Sequence, residues 1–98
     1  MNDLDICKRI ARIEGIQSQI EQADTTHAYI YSEDLNSEYN PLTDDALCFK
    51  LMVKYKLSLI APEGEQTNWD CVISDILTWD KNPNKVICLA IIEANKGK

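Results

Sequence analysis

Asp44 and Asp45 stand side by side and are the most conspicuous pair of titratable residues in the chain. Two carboxylates hold a metal ion or share a proton only when they converge on one point. On a helix, adjacent side chains project about 100° apart, so these two diverge. Behind Thr43 they read as the first turn of a helix, where the positive end of the dipole favours acidic groups. His27, the one histidine, alternates with Tyr29 and Tyr31. A general base needs a nucleophile or a substrate proton within reach, and no motif pairs one with His27. The three residues read better as a polar, aromatic recognition patch, because tyrosine gives contact area at low entropic cost.

The four cysteines, Cys7, Cys48, Cys71 and Cys88, lie far apart, with no Cys-x-x-Cys pair. Each has apolar neighbours, as reduced core cysteines do. Zinc sites are usually built from closely spaced ligand pairs, and three cysteines converging with His27 would lack that spacing. The three glycines are isolated, so there is no phosphate-binding loop and no dinucleotide fingerprint. The expectation is no enzyme, no metal and no cofactor. Trp79, in a polar connection, is the better of the two tryptophans for exposure. Glu33 and Asp34 sit in an acidic loop that fits a basic partner. The candidate interaction surface is therefore His27, Tyr29, Tyr31, Glu33, Asp34 and Trp79.

The elements that must position these residues are legible to different degrees. Leu4, Cys7, Ile10 and Ala11 predict a helix over 3–14, capped by Asn2 or Asp3 and stopped at Gly15. Residues 16–26 fit a strand, an irregular connection or an extension of that helix. The alternation through 25–31 predicts a strand with Ala28 and Ile30 on one side and His27, Tyr29 and Tyr31 on the other. Residues 32–41 read as a polar loop. A second helix is expected over 43–55, with Thr43 as its cap and Ala46, Phe49, Val53 and Leu42 as its buried face, Cys48 and Met52 beside them. Strands at 57–61 and 69–74 form an antiparallel hairpin around a polar turn. Trp69, Cys71 and Ile73 share one face of it, with Asp70 and Ser74 opposite. The connection 75–81 has room for a short edge strand. Asn82 and Pro83 open the last helix, whose stripe is Val86, Ile87, Ala90, Ile91 and Ala94. Cys88, Leu89 and Ile92 extend that stripe around most of the circumference. Together these predict a single α+β domain over residues 1–98. Its order is α-β-α-β-β-α, a helix/sheet/helix sandwich with a small, mainly antiparallel sheet.

Three segments in this order are familiar. Tyr39-Asn40-Pro41-Leu42-Thr43-Asp44-Asp45-Ala46 opens the middle helix, Trp69-Asp70-Cys71-Val72-Ile73 carries the hairpin tryptophan, and Asn82-Pro83-Asn84-Lys85-Val86-Ile87-Cys88-Leu89-Ala90 opens the last helix. Over roughly 39–95 the chain resembles the phage ABA sandwich domain, a family of small bacteriophage and prophage proteins. It departs from that pattern at Asn40-Pro41-Leu42-Thr43 and at Lys85-Val86. The resemblance implies a helix and sheet sandwich and a phage origin. It brings no catalytic residue with it.

The charge balance, 10 basic residues against 16 acidic, gives a net charge of −6. That argues against direct nucleic-acid binding, which usually rests on a basic patch, and against an anionic membrane. No apolar run approaches the ~20 residues of a membrane span, and Met1-Asn2-Asp3-Leu4-Asp5 is acidic where a signal peptide is basic. A cytoplasmic place, in a bacterial host, is the expectation. The leading expectation of function is a non-enzymatic, phage-encoded accessory protein that binds a host or phage protein, with a host defence or regulatory protein as candidate. The alternatives are a homo-oligomer formed through the 83–94 helix, and a small-ligand or nucleotide binder using the His27, Tyr29 and Tyr31 face.

Overall fold

A computed structural model describes residues 1–22 and 28–96, and the side chain of Gln22 is outside that description. Helix α1 spans Asp3–Ile13 and begins with a capping box. Asp5 N donates to Asn2 Oδ1 at 2.8 Å, and Asn2 N donates to Asp5 Oδ2 at 3.2 Å. Its buried stripe is Ile6, Cys7, Ile10 and Ala11. It ends at Gly15, whose φ of +69° suits a residue without a Cβ.

Strands β1 (Ser18–Gln22), β2 (Ala28–Ser32) and β3 (Ser37–Glu38) then form a first antiparallel sheet in that order. Of the three readings of 16–26, the strand holds for Ser18–Gln22, and 23–26 lie outside the described residues. The loop expected at 32–41 contains β3, a two-residue strand that pairs with Tyr31 and Ser32. His27 and the start of its expected strand lie outside the described residues. Helix α2 (Asp45–Lys54) is followed by β4 (Ser58–Ile60), β5 (Trp69–Ile73) and β6 (Ile76–Asp80), a second antiparallel sheet with β5 in the middle. Helix α3 (Pro83–Ala94) closes the chain, with Asn82 Oδ1 accepting from Asn84 N at 2.9 Å and Lys85 N at 3.3 Å.

The α+β class and the chain order of helix, sheet, helix, sheet, helix are as expected. Among the described residues, the strands make two sheets of three rather than one. Both sides of β2 are taken by β1 and β3, and both sides of β5 by β4 and β6, so the two sheets have no strand in common. They are joined through helices. β2 lies on α1, α1 and α2 lie on α3, and α3 lies on β5 and β6. Residues from all three helices, with Ile30, Tyr39, Leu57 and Cys71, make one core. α3 is its centre, with Val86, Ile87, Cys88, Ala90, Ile91 and Ile92 all buried. Of the residues that extend its apolar stripe, Cys88 and Ile92 are buried within the chain and Leu89 is half-buried against the core.

Two expectations for α2 are corrected. Its cap is Asp44, which accepts from Leu47 N at 3.1 Å, and not Thr43. Its core face is Leu47, Cys48, Leu51, Met52 and Tyr55, while Phe49 and Val53 are 60% and 59% exposed. Both stripes have helical spacing, and hydrophobicity alone does not choose between them. Contact with α3 chooses, because Cys48 Sγ lies against Asn84 O at 3.7 Å. Among the described residues, no helix is long and apolar enough to cross a membrane.

Candidate functional site

Alternation along the second sheet sorts its side chains between two faces. Leu59, Cys71, Thr78 and Ile73 turn inward; Cys71 is fully buried, and Leu59 and Ile73 pack on the core. Thr78 Oγ1 donates to Val86 O at 3.1 Å and fixes β6 against α3. The residues between them must turn outward. The register places Ile60, Asp70 and Trp79 in one cross-strand row and Ser58, Val72 and Leu77 in the next. Ile60 is 48% exposed, Leu77 54% and Trp79 61%. Three large apolar side chains therefore share one uncovered face, with a carboxylate between two of them.

The first sheet has a different outer face. Gln19, Tyr31 and Glu38 form one row, with Glu21 opposite Tyr29 in the next. Ile30 and Ser32, pointing the other way, are buried. Gln19 Nε2 donates to Glu21 Oε1 at 2.6 Å, Asn40 Nδ2 donates to Glu38 Oε2 at 2.9 Å, and the Tyr31 hydroxyl donates to Asn36 Oδ1. Glu33 and Asp34 are exposed in the turn after β2. Of the six expected surface residues, Tyr29, Tyr31, Glu33 and Asp34 therefore come together on the first sheet and its turn. Trp79 belongs to the second sheet, and His27 lies outside the described residues.

The four buried thiols differ: Cys7, Cys71 and Cys88 are pushed up, whereas the hydrogen bond with Cys88 lowers Cys48. Beside β2, a cleft of about 260 Å³ is lined by Asp3, Cys7, Glu38 and Asn40 among others. Cys7 Sγ donates to Asn40 Oδ1 at 3.3 Å, and burial pushes its thiol up to about 11. A protonated thiol is a poor nucleophile. Burial likewise pushes Cys71 up to about 11. The Cys88 thiol is pushed up by its hydrogen bond to Cys48 and then by burial. All four cysteines are free and buried, as expected from their apolar neighbours. Among the described residues, no group of three or more His, Cys, Asp or Glu stands where it could hold a metal ion. A more apolar groove of about 410 Å³ separates α2 from the second sheet, lined by Phe49, Met52, Leu59, Trp69 and Ile87.

Sequence reasoning found Trp79 but missed the rest of its face. The signal is in the alternation, which sets Asp70 opposite Trp69, Cys71 and Ile73. Pairing a full strand at 76–80 against that segment would have set Trp79 beside Asp70. Comparison of the chain with protein-family models, with curated proteins and with solved structures gave no match to any of them.

Proposed function

We propose that this chain is a non-enzymatic binding module that docks another protein on the open face of its second sheet. One observation carries the reading: Ile60, Leu77 and Trp79 stand 48–61% exposed together on that face. Exposed apolar clusters on small proteins mark docking surfaces, and tryptophan is prominent among the residues that dominate binding energy. The resemblance to the phage sandwich family adds a setting, in which the partner is a host defence or regulatory protein. A photo-crosslinking residue placed at Leu77 in a bacterial lysate should give one stoichiometric adduct. The same residue at Lys8, exposed on α1, should not. No adduct from Leu77 would count decisively against this reading.

A second reading has its own observation. Tyr29 and Tyr31 share a face with Glu21 and Glu38, close to the exposed Glu33 and Asp34. That surface suits a basic protein. A crosslinker at Glu33, and not at Leu77, would capture the partner if this face is the docking site.

A further inference from the structure

Resting on the docking role of the second sheet, we infer that the row Ile60, Asp70 and Trp79 receives an arginine side chain of the partner protein. Asp70 is the direct cross-strand neighbour of both Ile60 and Trp79, and such neighbours have Cβ atoms about 4.5–5.5 Å apart. Its carboxylate has no hydrogen bond and no ion pair among the described residues. An apolar surface laid over Ile60, Leu77 and Trp79 strips water from that carboxylate. Leaving a desolvated charge without a partner is strongly unfavourable, so whatever covers this face must bring hydrogen-bond donors to its centre, and a cationic donor meets that need most fully.

Among the described residues, the outward positions of this sheet are Ser58, Ile60, Asp70, Val72, Leu77 and Trp79, none of them basic. A second copy stacked face to face would bring another Asp70 and no cation to compensate it. The occupant is a different protein. Its cation is better an arginine than a lysine. A guanidinium pairs with a carboxylate through two parallel hydrogen bonds and stacks on an indole face. Asp70 and Trp79 offer both partners side by side, and Ile60 walls the methylene stem. An ammonium meets the same row as a point charge only. The net charge of −6 favours the approach of a basic partner.

The test uses the full chain and three blocked hexapeptides that alternate valine with arginine, lysine or citrulline, followed through the Trp79 indole N–H signal in NMR titrations. The arginine peptide should shift that signal and the amides of Ile60 and Asp70. The lysine peptide should bind several-fold more weakly, and the neutral citrulline peptide at least tenfold more weakly. In Asp70→Asn the preference for arginine over citrulline should vanish. Trp79→Leu, which keeps the carboxylate should Asp70→Asn fail to fold and is followed through the Ile60 and Asp70 amides, should lose the preference for arginine over lysine. The proposal is overturned by an arginine peptide that does not bind, by equal binding of arginine and citrulline, by equal binding of arginine and lysine, or by a preference that survives these variants. An adduct at Leu77 whose partner peptide contains no arginine would overturn the arginine site and leave the docking role standing.

Discussion

The hydroxyl of Tyr55 donates to Glu14 Oε2 at 2.5 Å, tying the end of α2 to the end of α1. Lys54 Nζ reaches the same oxygen at 2.9 Å. The Glu14 side chain is only 11% exposed, whereas that of Lys54 is 59% exposed. The two bonds should therefore differ in worth. A hydrogen bond to a charged group contributes about 1.5–3 kcal/mol, and an exposed ion pair about 0–1 kcal/mol. Tyr55→Phe should lower the unfolding free energy by about 1.5 kcal/mol in urea titration, and Lys54→Ala by less than about 1 kcal/mol.

The same contact predicts a response to alkali. Burial, and then the bond to Glu14, push the Tyr55 phenol up to about 12, from an ordinary value of 10.0. Burial takes Cys7 and Cys71 up to about 11, from 9.0. Tyr39, buried in the core, is pushed up too. Each group holds its proton more tightly when folded than when unfolded. Their contribution is complete below the unfolded values and is lost as pH rises through the folded ones. Urea midpoints should be insensitive to these groups below pH 9 and fall steadily between about 9 and 12. A flat profile across that window would show that the thiols and phenols are not desolvated as described.

The cap of α2 separates sequence reasoning from packing. Thr43 and Asp44 are both good capping residues, and nothing local decides between them. Asp44 wins because the chain arrives through a tight turn, with Thr43 N and Asp44 N both donating to Asn40 O, at 3.2 and 2.9 Å. Asp44→Ala should cost about 1 kcal/mol in thermal or urea unfolding, and Thr43→Ala less than about 0.5 kcal/mol.

The same helix shows why its buried face was not legible. Ala46, Phe49 and Val53 repeat as well as Leu47, Cys48 and Leu51 do, and local hydrophobicity favours neither stripe. Orientation is set by α3, a partner far along the chain. The capping of α1 and α3 and the stripe of α3 were legible, because each rests on neighbours in sequence. That the strands form two sheets was not, since strand pairing is a long-range choice. The outer face of the second sheet was half legible. Trp79 drew notice by itself, and Asp70 gains its meaning only from the register that sets it beside Trp79. Leu51→Ala should cost about 2–5 kcal/mol, as buried leucines do. Phe49→Ala, at a position 60% exposed, should cost under about 1 kcal/mol. The reverse order in urea unfolding would restore the stripe of Ala46, Phe49 and Val53.

The ends of α1 and α2 are built alike from different residues. After α1, Gly15 N donates to Arg12 O at 3.1 Å and Ile16 N to Ala11 O at 2.9 Å. After α2, Lys56 N donates to Val53 O at 3.2 Å and Leu57 N to Met52 O at 3.1 Å. Both are Schellman ends, which need one residue in the left-handed region. Gly15 takes it at φ +69°, and Lys56 takes it at φ +55° with a Cβ that disfavours it. Lys56→Gly should relieve that strain. It also removes a positive charge near the negative end of the helix, so Lys56→Ala serves as the reference. The glycine variant should be more stable than the alanine variant by about 1 kcal/mol. Gly15→Ala should lose about as much, although a Cβ there would meet nothing within 4 Å. The loss would then be conformational and not steric. Equal stability of the two Lys56 variants would mean that the end of α2 does not adopt this turn in solution.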